Sequence, residues 1–171
     1  MPGMVPVVVM GVCGSGKSTV ASLLAQRLGR PFLEGDQLHS PRNVARMAAG
    51  VSLTDADRQG WLESIAKRLA LAGSSGTGLV VSCSALKRQY RDLLRTDCPR
   101  LALVYLRADR ALLLERLTAR TGHYMGSGML DSQLEILEEP KSPERFLACE
   151  VDVPAHEVVD RAVRWLASLD A

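Results

Sequence analysis

Hydrophobic and polar positions along the chain follow two alternating patterns. Short, mostly apolar runs are typical of strands that are buried on both faces of a parallel sheet. They occur at residues 5–10, 31–34, 79–83, 101–106 and 146–151. Between these runs, apolar residues recur at the spacing of an amphipathic helix, most clearly at residues 17–28 and 154–166. The alternation predicts an α/β fold with a five-stranded parallel sheet.

A glycine-rich segment joins the first predicted strand to the first predicted helix. Its pattern, a glycine, four residues and Gly-Lys-Ser, is that of a phosphate-binding loop. Glycines permit close approach of the backbone, and the following helix N-terminus offers unpaired N–H groups to a phosphate. An ordinary glycine-rich turn is the alternative, which the strand-loop-helix context disfavours. The predicted nucleotide-binding residues are Gly11, Val12, Cys13, Gly14, Ser15, Gly16, Lys17, Ser18 and Thr19.

Two side chains of this loop have specific chemistry. Lys17 would add a mobile positive charge beside the phosphates. Ser18 would supply a hydroxyl ligand to Mg²⁺.

Composition narrows the class of protein. With 171 residues and 47% apolar composition, the chain is expected to form one domain, residues 1–171. A net charge of +2 gives no indication of a nucleic acid or a membrane as a partner. No apolar run has the length of a membrane span and Met1 begins no charged leader, so we expect a cytoplasmic protein. The four cysteines lack a Cys-x-x-Cys pair, which favours reduced thiols.

Two predicted helices between the second and third strands form an insertion at about residues 37–72, and the glycine-rich residues 73–78 are expected to be a flexible connector after it. Thr54-Asp-Ala-Asp57 is a capping box for the longer helix, and its two aspartates are interpreted as capping charges. Asp36 lies at the carboxyl edge of the sheet, where ligands of open α/β folds bind, although a turn-forming aspartate is the simpler alternative. Arg58 follows the cap where a phosphate-loop kinase usually builds its acceptor pocket, and a solvated surface arginine is an equally good interpretation.

Basic residues also follow the third strand. Lys87 and Arg91 are four apart, on one face of a helix predicted to begin near residue 84. They could bind an acidic substrate near the carboxyl edge of the sheet. Alternatively, they could pair with an acidic neighbour such as Asp92 or Asp97.

Another basic pair precedes a glycine-containing segment. Arg116 and Arg120 lie on the helix after the fourth strand, which Asp109 is expected to cap. The segment at about residues 120–136 would suit a mobile lid over a bound nucleotide. Arginines at its base could neutralise a transferring phosphoryl group or form a solvated helix face. We favour function for Arg120 and leave Arg116 open.

Ordered motifs beyond the phosphate loop resemble the small phosphate-loop gluconate kinases over about residues 7–140. The most specific are Asp57-Arg-x-x-Trp61-Leu and Cys83-Ser-Ala-Leu-Lys87. Further matches are Leu33-Glu-Gly-Asp36, His39 with Asn43, Met47-Ala-Ala-Gly50, Tyr90-Arg-Asp-Leu-Leu94, Gly122-His123, Ser132-Gln133 and Leu137-Glu138 with Pro140. Departures are mild: Cys13, Ser40 and Arg46 replace a common serine, proline and lysine, and none removes a charge that the chemistry needs.

The resemblance implies a three-layer fold like that of nucleoside monophosphate kinases. It also implies ATP-dependent phosphorylation of D-gluconate to 6-phosphogluconate, often by a homodimer. Lys17, Asp36 and Arg120 would be catalytic, Arg116 and Arg120 would contact the nucleotide, and Ser18 with Asp36 would hold Mg²⁺. The implied acceptor site consists of Asp36, His39, Arg42, Arg58, Lys87, Arg91 and His123.

Two other functions remain open from the residues. A different small acceptor, such as shikimate or a nucleoside monophosphate, would use the same fold and loop. A nucleotide-binding regulatory module without transfer activity is a further alternative, which the presence of Lys17, Ser18, Asp36 and the basic lid disfavours.

Overall fold

The computed structural model describes residues 4–121 and 127–169. In that part of the chain, five strands alternate with seven α-helices, and a short 3₁₀ helix, Gly35–Leu38, follows the second strand. The elements are β1 (Val7–Met10), α1 (Lys17–Leu28), β2 (Phe32–Glu34), α2 (Pro41–Ala48), α3 (Asp55–Ser75), β3 (Val80–Ser82), α4 (Arg88–Leu94), β4 (Ala102–Arg107), α5 (Arg110–Thr121), α6 (Ser127–Ile136), β5 (Phe146–Glu150) and α7 (Ala155–Leu169).

The five strands form one parallel sheet in the order β2-β3-β1-β4-β5. The predicted fold class is therefore confirmed. β1 is the central strand, and its neighbours are β3 and β4. Because the strands are parallel, their carboxyl ends meet at one edge, where the chain leaves β1 in the phosphate loop.

Helices cover both faces of the sheet, because alternate side chains of each strand point to opposite sides. On one face, Val7 and Val9 of β1 lie in a core with residues of α1 and α7. On the other face, Val8 and Met10 lie in a core with residues of α3 and α4. This arrangement gives the three layers that the resemblance implied.

A third apolar cluster lies at the carboxyl edge of the sheet. It joins Val12 of the phosphate loop to Leu86, Leu113 and Leu130, and Leu130 belongs to α6. The described part of the predicted lid region, from residue 127 onwards, is thus a helix that packs beside the phosphate loop.

Two predicted boundaries are wrong. The glycine-rich connector expected at residues 73–78 is helical up to Ser75, and α3 ends only where Gly76 adopts a left-handed conformation with φ of 71°. The helix expected from residue 84 begins at Arg88. Ala85 has a φ of 46° and Lys87 is extended, so residues 84–87 form a loop, and Lys87 and Arg91 do not share a helix face as predicted.

Candidate active site

The phosphate loop has the backbone shape of an anion cradle. Gly14 and Gly16 adopt φ values of 83° and 91°, a region that other residues rarely enter. A Cβ at Gly14 would also lie 3.0 Å from the carbonyl oxygen of Leu113. Gly16 begins α1 without a side-chain cap, so the N–H groups of the first turn are available to a ligand.

Lys17 is held inside this loop. Its Nζ donates a hydrogen bond to the carbonyl oxygen of Val12 at 3.0 Å. Burial lowers the pKa of the Lys17 ammonium, and the negative charge of Asp36 partly opposes that effect. The lysine thus faces the side of the loop on which Asp36 lies.

A cavity of about 460 Å³ opens beside the phosphate loop. The loop, the α2–α3 insertion, the β3–α4 loop and α6 all contribute to its walls. It brings together five of the predicted site residues besides Cys13: Lys17, Asp36, His39, Arg58 and Lys87.

Asp36 and His39 lie on the insertion side of this cavity. The Asp36 carboxylate is 71% exposed, and its Oδ1 lies 4.0 Å from Nε2 of His39. The His39 ring stacks on Trp61 at 4.1 Å between centroids, and the Trp61 indole N–H donates to the carbonyl of Gly35 at 2.8 Å. Burial lowers the pKa of His39, which favours the neutral form of its imidazole, and the charge of Asp36 partly opposes that effect. The ring therefore positions the turn that presents Asp36 to the cavity.

A cluster of charged and hydroxyl groups lies where the start of α3 meets the β3–α4 loop and α4. The Asp55 carboxylate accepts hydrogen bonds from Lys87 at 3.0 and 3.2 Å and from the hydroxyl of Tyr90. Arg58 donates to the same Tyr90 oxygen at 2.7 Å. The bond from Tyr90, followed by that from Lys87, lowers the pKa of Asp55 to about 2. The interpretation of Asp55 as a capping charge alone was incomplete, because it also joins α3 to α4.

Arg91 is not in the cavity. Its side chain is 1% exposed and forms a two-point ion pair with Glu144, at 2.8 Å from Nε and 3.2 Å from Nη2. Nη1 donates to the carbonyl oxygens of Ala85 and Leu86. The predicted contact with an acidic substrate is thus not supported, and the partner is Glu144 rather than Asp92 or Asp97.

Three other predicted residues lie outside the 460 Å³ cavity. Arg42 on α2 and Arg120 at the end of α5 are exposed and line neither the 460 Å³ cavity nor a second, smaller one. Arg116 donates from Nη2 to the carbonyl of Val151 and lines the smaller cavity. His123 lies outside the described residues.

The smaller cavity, of about 220 Å³, lies on the other side of the phosphate loop. Gly16 and Thr19 form one wall, and Val153 and Val158 form another. Apolar side chains beside the Arg116 guanidinium make a site suited to a flat, polarisable ring. Sequence reasoning missed the valines because nothing in their pattern distinguishes them from core residues.

Sequence reasoning also missed a contact from α6. Oε1 of Gln133 accepts a hydrogen bond from the backbone N–H of Cys13 at 2.7 Å. In the sequence, Gln133 was indicated only by its place in the Ser132-Gln133 motif of the family resemblance.

Asp109 caps α5 as predicted, since its carboxylate accepts a hydrogen bond from the N–H of Leu112 at 2.8 Å.

The predicted Mg²⁺ ligands are few. Ser18 is exposed at the start of α1, and Asp36 lines the cavity. Among residues 4–121 and 127–169, no group of three or more His, Cys, Asp or Glu side chains could hold a metal. Ser18 and Asp36 nevertheless fit Mg²⁺, which is commonly bound by one or two protein oxygens together with substrate phosphates.

No helix in the described ranges is long and apolar enough to cross a membrane.

A five-stranded parallel sheet with a Gly-x₄-Gly-Lys-Ser loop after its central strand defines a phosphate-loop kinase. The model of the AAA domain family matches residues 7–140. The thermoresistant gluconokinase of Escherichia coli K12 is 45% identical, over 89% of this chain and 87% of its own length. The gluconokinase of Gluconobacter oxydans 621H is 42% identical, over 95% and 92%.

A solved structure agrees with these relatives. The gluconokinase from Sinorhizobium meliloti 1021 superposes with a TM-score of 0.90 at 48% identity, over 99% of this chain and 95% of that one. The chain belongs to the gluconokinase family.

Proposed function

We propose that this protein transfers the terminal phosphoryl group of ATP to the 6-hydroxyl of D-gluconate. The observation that carries the proposal is that one cavity brings Lys17 of the phosphate loop together with Asp36, Arg58 and Lys87. A donor phosphate and an acidic, polyhydroxylated acceptor can therefore meet in one cavity.

The nucleotide is proposed to span the phosphate loop. Its phosphates would lie on the loop amides, with Lys17 beside the terminal group. Its base would occupy the smaller cavity against Arg116, because that cavity shares Ser15 and Gly16 with the loop. The terminal phosphate would then face the larger cavity, which Cys13 and Lys17 line.

Asp36 is the proposed partner of the acceptor hydroxyl. Its exposed carboxylate would accept a hydrogen bond from the 6-hydroxyl and orient it toward the phosphorus. It would also hold Mg²⁺ together with Ser18, and the metal would neutralise charge on the phosphates. Phosphoryl transfer depends mainly on such positioning and charge stabilisation, to which Lys17 contributes directly.

The gluconate carboxylate is proposed to bind at the wall formed by Arg58 and Lys87. The arginine can offer two parallel N–H donors to a carboxylate. Two cations face one resident anion, Asp55, so this wall can accept another negative charge. His39 would contact acceptor hydroxyls.

Other predicted assignments remain proposals. Arg120 would stabilise the transferring phosphoryl group if the end of α5 approaches the loop, and Arg42 and His123 would complete the acceptor side. Arg91 is left out of this proposal because it is buried against Glu144. We also propose a homodimer, which the family resemblance implies, and a cytoplasmic location, which the sequence led us to expect.

A coupled assay of ADP release tests the reaction. Mg-ATP is supplied with D-gluconate, with shikimate, or without an acceptor. We expect ADP release only when D-gluconate is the acceptor. Activity with another acid instead would overturn the acceptor, and nucleotide binding without transfer to any acceptor would indicate a regulatory module.

The Asp36→Asn variant tests the proposed role of the carboxylate. Because the substitution keeps the size of the side chain but removes its charge, we expect kcat to fall about 100-fold or more. Full turnover in this variant would contradict the assignment. Circular dichroism and thermal melting would show whether the fold is intact.

A further inference from the structure

The hydrogen bond between α6 and the phosphate loop connects residues 120 positions apart in the sequence. The N–H of Cys13 is a donor, so the side-chain atom of Gln133 that faces it must be the carbonyl oxygen Oε1. Gln133 also lines the larger cavity together with Lys17 and Asp36. Its amide group therefore lies at the meeting point of the loop and the proposed reaction space.

The position of α6 does not depend on this bond alone. Leu130 is fully buried against Val12, Leu86 and Leu113, so an apolar cluster already fastens the helix beside the loop. Gln133 supplies the polar part of that contact, on the side that faces the cavity.

Two hydrogen-bond donors of the loop have internal partners in this structure. The Lys17 ammonium donates to the carbonyl oxygen of Val12, and the Cys13 N–H donates to Gln133. Both partners are oxygens in a cradle whose amides suit an anion. Oε1 of Gln133 thus stands where a phosphate oxygen could accept the same N–H.

We propose that Gln133 is the residue through which α6 contacts the terminal phosphoryl group of the nucleotide. When that group binds, Gln133 releases the Cys13 N–H to a phosphate oxygen and donates its own Nε2–H to the same group. Gln133 forms no covalent bond and transfers no proton. The inference rests on the proposed use of ATP. It predicts that Gln133 strengthens the binding of ATP but not that of ADP, which lacks the terminal phosphoryl group.

A purely structural contact is the competing explanation, and one substitution separates the two. Gln133→Glu has nearly the same shape and keeps an oxygen that can accept the Cys13 N–H. It removes the N–H donor and adds a negative charge, which a phosphoryl group would repel. A structural contact would survive the change, whereas a contact with the terminal phosphate would not.

The experiment is a calorimetric titration with Mg²⁺ and either a non-hydrolysable ATP analogue or ADP. For Gln133→Glu we expect affinity for the analogue to fall about 10- to 100-fold, as for loss of a hydrogen bond to a charged group. Affinity for ADP should stay within about threefold, and the thermal midpoint should not change. The control, Glu135→Gln, makes the reverse exchange at an exposed position of α6 and should change nothing.

Each other outcome has a defined meaning. Equal losses for the analogue and ADP, or no loss for either, would overturn the role of Gln133. If the unmodified protein binds neither nucleotide, the proposed function itself fails. If the glutamate variant does not fold, Gln133→Met gives the same test. The methionine has neither the donor nor a charge. We therefore expect a smaller loss, about 3- to 10-fold, in affinity for the analogue relative to ADP. An unchanged ratio of the two affinities would overturn the proposal.

Discussion

Two charged clusters meet on α4, and they differ in their access to water. The pocket cluster consists of Asp55, Arg58, Lys87 and Tyr90; the buried cluster consists of Arg91, Arg95 and Glu144. Asp55 and Lys87 have side chains that are 51% and 27% exposed. Arg91 and Glu144 are each 1% exposed. Ions in the pocket cluster can exchange one partner for a substrate, whereas ions in the buried cluster cannot exchange partners without leaving a charge unpaired.

The buried cluster serves the pocket indirectly. Arg91 donates to the carbonyl oxygens of Ala85 and Leu86, and the backbone N–H of Glu138 donates to Leu86 as well. These bonds hold the irregular β3–α4 loop, which ends at Lys87. The comparison teaches that similar ion pairs a turn apart can have different roles: Lys87 beside Asp55 is proposed to bind the substrate, whereas Arg91 with Glu144 positions a loop.

The largest expected effect comes from opening the buried pair. Arg91→Met should lower the free energy of unfolding by about 3–4 kcal/mol, because the buried Glu144 would lose its two-point partner and keep Arg95, and two carbonyl oxygens would lose their donor. Urea denaturation measures the change. The double variant Arg91→Met with Glu144→Leu should recover part of the loss. A cost below about 1 kcal/mol for the single variant would show that the pair is not closed in solution.

The pH dependence of stability tests the same pair. Burial alone would raise the pKa of Glu144, but the hydrogen bonds from Arg91 and Arg95 and the charge of Arg91 outweigh it and lower that pKa to about 2. A lowered carboxyl pKa contributes stability above the unfolded-state pKa, and this contribution is lost as the pH falls. Unfolding free energy should therefore drop by about 3 kcal/mol between pH 5 and 2 on account of this group.

Glu144→Gln supplies the control for the acid titration. It removes the titrating group, so the part of the slope that belongs to residue 144 should disappear. An unchanged slope in the variant would assign the acid sensitivity to other carboxylates.

A smaller effect, confined to the substrate, is expected from the pocket cluster. Arg58→Lys keeps the charge but removes the two-pronged donor, so the KM for gluconate should rise about 10-fold. The KM for ATP and the unfolding free energy should hardly change, because Arg58 lies at the cavity wall. Steady-state kinetics with each substrate varied in turn would check this. An unchanged KM for gluconate would remove Arg58 from the carboxylate site.

The smallest effect is expected at a surface pair. Arg27 and Asp160 join α1 to α7 at 2.7 Å, with side chains 51% and 41% exposed. Asp160→Asn should change the free energy of unfolding by less than about 0.5 kcal/mol, because water screens such pairs. A loss as large as that of Arg91→Met would mean that exposure does not explain the difference between the two clusters.

The sequence predicted elements whose signals are local. α1 begins at Lys17 and ends at Leu28 as expected, since the phosphate loop marks its start and Gly29 its end. The Thr54 capping box likewise forms as predicted. The central strands β1, β3 and β4 were recognisable because strands buried on both faces are mostly apolar, and the edge strands β2 and β5 are less buried but keep short apolar runs.

The remaining features depend on contacts between distant parts of the chain. The burial of Arg91 depends on Glu144, which lies 53 residues further along. The spacing of Lys87 and Arg91 suggested one helix face, but the positive φ of Ala85 delays the start of α4. Asp55 satisfied a local capping pattern, and that explanation concealed its bonds to α4. No sequence pattern could show these pairings, because the fold brings the partners together.

The position of β5 has a consequence for how freely this region can change in evolution. β5 is an edge strand that pairs with β4 alone, so a neighbouring strand constrains it on one side only. Here Glu144 precedes the strand and pairs with Arg91, which holds a loop of the larger cavity, while Val151 and Val153 follow the strand and line the smaller cavity. A shift of this one strand would be transmitted to both cavities, so we expect the ends of β5 to accept fewer substitutions than its place in the sheet suggests.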